Sequence, residues 1–267
     1  MRLLNDLLIK HSKDFDLWNN MIILAYMGSI AHGTYEAGKM DDKDVMGIII
    51  PPATYILGLN QFGSRGTQEI KYEYWDVVLY ELRKFVSLLI KNNPNVLGLL
   101  WLSEDMYLKK AEAGQCLIDN RELFSSKLAY NSFCGYAYSQ LCKMEKNAYL
   151  GYMGKKRKEL TNKIGYDSKN ASHLIRLLKM GIEFLETGQV NVKRNDVSIL
   201  LEIKRGQWKL EKVKRYADEL FKGLEIAKNK SPLPEQPNRE KVNKLLIEIE
   251  YDYLRMEVKG GLVQSDH

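Results

Sequence analysis

Residues 21–51 read MIILAYMGSIAHGTYEAGKMDDKDVMGIIIP, and this stretch decides the fold. It contains two short apolar runs, at 21–27 and 45–50, which end at turn-forming residues, Gly28 and Pro51. Apolar runs of this length between turn residues are typical of buried strands rather than of helices. The stretch therefore predicts two strands of one sheet, joined by a polar segment.

Two carboxylates, Asp42 and Asp44, stand at the entrance to the second predicted strand. Side chains alternate along a strand, so residues two apart point to the same side. Because like charges this close repel, a hard cation between them is the simplest way to keep both ionised. The pair predicts a metal site, and the plain alternative is a solvated strand end.

Gly28 and Ser29, after the first run, have a complementary chemistry. A glycine lets the backbone come close to a ligand, and the N–H groups of a helix start suit phosphate oxygens, as does a serine hydroxyl. Taken alone, such a dipeptide is usually only a turn. A phosphate-binding turn followed by metal-holding carboxylates is what nucleotidyl transfer requires.

A third carboxylate lies in residues 70–79, IKYEYWDVVL, which are rich in aromatic and β-branched side chains and predict one strand. Alternation along that strand puts Asp76 on the same face as Ile70 and Val78, where an unpaired carboxylate is costly to bury. A shared metal would explain Asp76. The alternatives are a strand end that meets water or a lysine, and Glu73 as the third ligand.

The composition is that of an ordinary globular protein, 45% hydrophobic and 28% charged, and 40 Lys+Arg against 34 Asp+Glu give a net charge of +6. This excess permits an anionic partner without requiring one. The three cysteines lack the spacing of a zinc site or a disulfide framework, which predicts buried free thiols in a reducing cytoplasm. No apolar run approaches the ~20 residues of a membrane span, and early charges argue against a signal peptide.

A change of composition near residue 103 predicts two domains, an α/β half at 1–103 and a helical half at 104–267. The expected fold class is α+β, a small mixed-sheet core followed by a helical domain. The helices predicted for the second half lie at about 104–126, 129–150, 168–187, 195–203, 208–229 and 238–256.

A basic run, KKRK at 155–158, follows Tyr149 and Tyr152 in the helical half. Cations near aromatic rings suit a nucleic-acid backbone and its stacking bases. A solvated loop is the equally weighted alternative.

A second charged group follows Asp167 and Ser168, either of which is expected to cap a helix. On this helix Lys169, His173 and Arg176 fall at i, i+4 and i+7, on one face. We expect these three side chains to line a triphosphate pocket that faces the carboxylates, and a solvated helix face is the alternative.

The spacing of Gly-Ser and Asp-x-Asp resembles the signature of the DNA polymerase β nucleotidyltransferase superfamily. Within it, the chain is similar to the predicted nucleotidyltransferases of the YcgL type, found in bacteria and phages. The similar segments are GSIAHGT and DDKDVMGI within 28–48, WDVVLYELRKFVSLLIKNNPNVLGLLW at 75–101, YDSKNASHLIRLL at 166–178, TGQV at 187–190 and SPLPEQP at 231–237.

The resemblance implies a polymerase-β-like catalytic core with a helical companion, and Mg²⁺ as the cofactor. The phosphate-binding turn of the family would fall on Gly28 and Ser29. Its metal-binding acids would fall on three carboxylates: Asp42, Asp44 and Asp76. Two positions depart from the family pattern, Asp41 in place of Ser and Gly98 in place of Glu.

The reaction expected from this resemblance moves a nucleoside monophosphate from an NTP to a hydroxyl group and releases pyrophosphate. An RNA 3′ end is the expected acceptor, from the basic run and the family's association with RNA-repair genes. A protein hydroxyl (AMPylation) and a small molecule stay open. So does a different class, a catalytically inactive nucleotidyltransferase fold that binds nucleotide or nucleic acid.

Overall fold

The computed structural model describes residues 2–35, 42–145 and 154–264. Its contacts divide the chain into two compact units. Unit 1 comprises Met1–Ile90, Leu99–Phe124 and Pro237–His267, and unit 2 comprises Lys91–Gly98 and Ser125–Gln236. The predicted boundary is a single cut at residue 103. The observed division differs, because Leu99–Phe124 and the last helix pack with the first unit.

A five-stranded mixed sheet in the order β3-β4-β2-β1-β5 forms the centre of unit 1. Its strands are β1 (Met21–Tyr26), β2 (Lys43–Ile49), β3 (Thr67–Tyr72), β4 (Trp75–Glu81) and β5 (Tyr107–Lys110). The β2–β4 pair is parallel, and the other neighbours are antiparallel. The α+β class with a mixed sheet is thereby confirmed.

Unit 1 also contains helices, some of which pack on this sheet. They are α1 (Arg2–Lys10), α2 (Gly28–Ala31), α3 (Ala53–Ile56), α4 (Leu82–Leu89), α6 (Glu112–Asp119) and α12 (Arg239–Gln264). Leu4, Leu7 and Leu8 of α1 belong to one buried cluster with Leu24 of β1 and Val77 of β4. The helical spacing of these leucines therefore gives α1 one apolar face, which packs on the sheet.

Unit 2 is built around one long helix, α9. Its helices are α5 (Pro94–Leu97), α7 (Leu128–Glu145), α8 (Lys155–Ile164), α9 (Ser168–Thr187), α10 (Val197–Lys204) and α11 (Leu210–Lys230). Gly181 of α9 has no room for a side chain, because an added Cβ would lie 2.9 Å from both Leu224 of α11 and Phe133 of α7. Close approach at this glycine lets the three helices share a core.

The predicted single strand at 70–79 is wrong, because the chain forms a hairpin there. β3 and β4 are joined by Glu73 and Tyr74, and Glu73 has φ 52°. Ile70 pairs with Val77 and is buried with it, so it lies on the face opposite to that of Asp76. A turn of this kind usually carries Gly or Asn at the positive-φ position, and neither residue is present to signal it.

The predicted helix at 104–126 is also wrong in part. Residues Tyr107–Lys110 form β5, which pairs antiparallel with β1, and only α6 and the 3-10 helices Glu104–Met106 and Arg121–Phe124 follow the prediction. Pairing with a distant strand decides the conformation of such a short segment. The apolar residues just before this segment are divided between α5 and the 3-10 helix Gly98–Trp101.

One smaller expectation also changed. The three cysteines are free, as predicted, but each is partly exposed rather than buried. In the part of the chain that the structure describes, no helix has the length and apolar character to cross a membrane.

Candidate active site

The register of two parallel strands brings two of the predicted carboxylates side by side. Asp44 of β2 pairs with Asp76 of β4. Residues in register on neighbouring strands, which lie about 4.8 Å apart, direct their side chains to the same face of the sheet. Asp42, exposed, lies just before β2 begins at Lys43. Asp44 and Asp76 therefore form an acidic pair at the start of both strands.

Gly28 makes the closest approach to this pair. It has φ +57°, and a Cβ atom built on it would lie 1.8 Å from Oδ2 of Asp44. The backbone N–H of Met27 donates to the carbonyl oxygen of Asp44 over 2.8 Å, which fixes the turn against the strand. Only glycine tolerates both the positive φ and this contact, so the position of the turn and that of the Asp44 carboxylate depend on each other.

Ser29 follows in α2, which is a single turn of four residues. Such a short helix has little macrodipole, so we expect a phosphate to be held by local N–H groups and the serine hydroxyl. Ser29 and Gly28 are both partly exposed. The predicted phosphate-binding turn is thus accessible and adjoins the acidic pair.

Asp76 has a lysine partner in the hairpin. Nζ of Lys71 lies 3.4 Å from Oδ2 of Asp76, and the Lys71 side chain is 72% exposed. This contact is one of the alternatives that the sequence left open. An exposed ion pair of this kind contributes only about 0–1 kcal/mol. Lys71 can therefore give way to a more strongly bound cation.

The donor chemistry of the acidic pair fits a hard divalent cation. Across the described residues, no three His, Cys, Asp or Glu side chains are arranged as a metal-binding group. Mg²⁺ does not require one, since it usually takes one or two carboxylates together with waters and substrate phosphates. Asp44 and Asp76 match that requirement. Asp41 lies outside the described residues.

The predicted cationic face of α9 lies in unit 2, and helix α7 adds a lysine to it. Burial lowers the pKa of His173 to about 3, with the charges of Arg176, Lys143 and Lys169 adding to the effect. His173 is therefore neutral near pH 7, and the cations around it supply the charge. Nothing in the sequence indicated Lys143, because it joins the group only through the packing of two helices.

Arg176 has an uncompensated charge within the described part of unit 2. Burial lowers its pKa to about 10, with Arg194 as the second cause. Its guanidinium donates a hydrogen bond to the sulfur of Met180, a weak acceptor, over 3.1 Å. Arg194, by contrast, is paired with Glu183 at 2.6 Å. An arginine held among other cations in this way is suited to an anionic ligand.

Asp167 caps α9, as predicted, and also binds one residue of the basic run. The carboxylate accepts from the N–H of Lys169 at 3.1 Å and from Arg157, through Nε at 3.1 Å and Nη2 at 2.5 Å. The basic run forms the first turn of α8 rather than a loop, and Arg157 is a structural cation. Lys155 and Lys158 stay exposed. The aromatic partners predicted for the run, Tyr149 and Tyr152, lie outside the described residues.

A cavity of about 210 Å³ in unit 2 has charges that are already paired. Arg194 binds both Glu183 and Asp196, and Lys179 binds Asp196 at 2.5 Å. The cavity is lined by Lys179, Glu183, Asn191, Arg194, Asn195 and Asp196. Because these charges cancel, the network is explained by the stability of the unit and requires no ionic ligand.

A comparison with solved structures finds a nucleotidyltransferase-like protein from Exiguobacterium sibiricum 255-15. The TM-score is 0.30 and the identity is 9%, over 85% of this chain and 74% of that chain. A likeness at this level supports no statement about function. A comparison with curated proteins finds no match.

The family comparison covers most of the chain. The profile of RlaP, the RNA repair pathway DNA polymerase beta family, matches residues 8–248. The matched range contains the Gly28 turn, the acidic pair and the cationic face of α9. It confirms the polymerase-β resemblance, while the narrower YcgL label stays a prediction. The chain belongs to the RNA repair pathway DNA polymerase beta family.

Proposed function

We propose that the protein transfers a nucleoside monophosphate from an NTP to an RNA 3′ hydroxyl and releases pyrophosphate. The observation that carries this proposal is the acidic pair, Asp44 in register with Asp76, with Gly28 against one of the two carboxylates. Family membership supports the reaction class and its place in RNA repair.

The acidic pair would hold Mg²⁺, with Asp42 as a further ligand from just before β2. Once bound, the ion lowers the pKa of the attacking hydroxyl and offsets charge on the phosphates. The chain's own residues position the substrate. Gly28 lets the turn lie against the Asp44 carboxylate, and the Ser29 hydroxyl would donate to a phosphate oxygen. The Gly28 turn and Ser29 act through orientation, which is a large part of phosphoryl transfer.

The cationic face of α9 is the proposed contact for the triphosphate. Lys169 and Arg176 would pair with phosphate oxygens of a bound nucleotide, and neutral His173 would donate a hydrogen bond. Replacing Lys169 or Arg176 with Ala should raise the KM for NTP or lower kcat, by roughly ten- to a hundredfold. Lys244→Ala, an exposed position on α12, is the control. Unchanged kinetics would assign this face to the packing of unit 2 and not to the triphosphate.

The decisive experiment incubates the protein with each labelled NTP, Mg²⁺ and total RNA. We expect label on RNA and free pyrophosphate, both abolished by EDTA and by Asp44→Asn. RNA binding that ignores EDTA, with no turnover of any NTP, would instead establish an inactive binding module. Label on protein rather than on RNA would establish an AMPylating transferase.

A further inference from the structure

We propose that an unpaired 3′ end of the nucleic-acid acceptor stacks on a set of aromatic and lysine side chains beside the acidic pair. We call this set the hairpin patch: Lys10, Lys43, Tyr72, Tyr74 and Trp75. The inference rests on the proposed function and adds to it the place and the single-stranded form of the acceptor.

Cation–π contacts order the hairpin patch. Nζ of Lys43 lies 4.9 Å from the ring centroid of Tyr74 and 5.1 Å from that of Trp75. Nζ of Lys10 lies 5.8 Å from the ring of Tyr72. Each contact holds an ammonium group over an aromatic face. The patch therefore presents stacking surfaces and phosphate-binding charges together.

The rings differ in exposure in a way that suits a stacking platform. Trp75 is 5% exposed and packs nearly parallel to Tyr26, with centroids 6.4 Å apart and planes 14° apart. Tyr74 packs on Trp75 at 5.4 Å, and Tyr72 is 45% exposed. Buried Trp75 thus supports Tyr74, and Tyr72, which pairs with Trp75 in the hairpin, is open to a ligand. Supported rings lose little conformational freedom when a base stacks on them.

The hairpin patch lies at the same strand ends as the acidic pair. Lys43 directly precedes Asp44 in β2, and Trp75 directly precedes Asp76 in β4. Neighbouring residues of a strand point to opposite faces and are separated by about 3.3 Å along it. A nucleic-acid chain whose bases stack on the patch needs only to pass around this end of the sheet. Its terminal hydroxyl then reaches the carboxylates on the other face.

Charge and chemistry select an unpaired nucleic acid as the occupant. Lys10 and Lys43, with Lys71 nearby, can bind phosphates, and every base has a face that stacks on tyrosine. Acids also lie close by: Asp6 is one turn before Lys10 on α1, Glu73 is in the hairpin turn, and Asp44 and Asp76 are assigned to Mg²⁺. Bases inside a duplex are already stacked on each other, so the platform would accept only an unpaired end.

The test measures binding of a labelled, unstructured RNA oligonucleotide by fluorescence anisotropy, with the intact protein in EDTA and without NTP. Tyr72→Ala should weaken binding roughly five- to a hundredfold, the range for the loss of one base–aromatic stack, and Tyr72→Phe should restore it. Lys10→Ala and Lys43→Ala should each reduce the slope of log K against log salt by about one unit. Tyr251→Ala, at a tyrosine that is 62% exposed on α12, is the matched control.

A DNA oligonucleotide of the same sequence and a blunt RNA duplex complete the experiment. Weaker binding of the duplex supports the patch, whether RNA alone or both single strands bind. Equal binding by Tyr72→Ala and the wild type, or equal loss in Tyr251→Ala, overturns it, and so does a lower melting temperature in Tyr72→Ala with unchanged affinity.

The transfer assay separates this inference from the proposed function. If the wild type labels RNA while the patch variants bind and turn over normally, the patch is refuted and the enzyme stands. If the patch variants lose RNA binding while the wild type transfers nothing from any NTP, the patch stands and the transferase assignment fails.

Discussion

Replacing Gly28 with alanine should inactivate the protein while leaving it folded. The added Cβ would lie 1.8 Å from Oδ2 of Asp44, and ordinary contact begins at 3.4 Å. The two groups must therefore separate by about 1.6 Å, the difference between these distances. Either the carboxylate leaves its place beside Asp76, or the turn that carries Ser29 moves away from the strand.

The two consequences of this substitution have different magnitudes. A misplacement of about 1 Å at a reacting centre can cost on the order of a hundredfold in rate, so we expect at least that loss in kcat/KM. The positive φ of +57° adds backbone strain, roughly 1–2 kcal/mol for a residue with a Cβ. This strain should lower the melting temperature by about 2–4 °C for each kcal/mol.

The assay compares Mg²⁺-dependent transfer with thermal unfolding, and Gly165→Ala is the control. Gly165 has φ +81°, but nothing lies within 4 Å of a Cβ built there. It should show similar strain and full activity. Activity of Gly28→Ala within a few-fold of the wild type would refute the reasoning, and so would an equal loss of activity in Gly165→Ala.

Three further predictions concern single side chains. Asp76→Asn should abolish Mg²⁺-dependent transfer. The melting temperature should not fall, because the substitution relieves the repulsion between Asp76 and Asp44. Retained activity would show that Asp76 is not part of the site. Arg157→Ala should lower the free energy of unfolding by roughly 1–3 kcal/mol, because buried Asp167 loses its charged partner. Denaturant unfolding, with Lys158→Ala as the control variant, measures this loss. The pKa of His173 is about 3 in the folded state and 6.5 in the unfolded state. Between these values the unfolded state binds one proton more, so the neutral His173 contributes fully to the free energy of unfolding above pH 6.5, and this contribution is lost as the pH falls toward 3. His173→Gln should flatten the melting temperature over that window, and an unchanged pH dependence would contradict it.

The sequence alone predicted the elements whose signals are local. Runs of buried apolar residues ending at Gly28 and Pro51 mark β1 and β2, because strands of this length need only a turn at each end. Helix α9 begins and ends where predicted, since Asp167 caps its first turn and Gly188 adopts the left-handed conformation at its end. The spacing of Gly-Ser and Asp-x-Asp is also a local signal, and it predicted the polymerase β superfamily that the family comparison confirms.

Tertiary structure decided which side chains meet, because strand register and helix packing depend on residues far apart in the chain. Pairing with β2 set Asp76 beside Asp44, although the face predicted for Ile70 was wrong. β5 is a strand only because β1 offers it an edge. Packing of α7 on α9 brought Lys143 to His173, as no local pattern could. Contacts of this kind form only when the whole chain has buried its apolar surface, so their physical cause lies outside any short stretch of sequence.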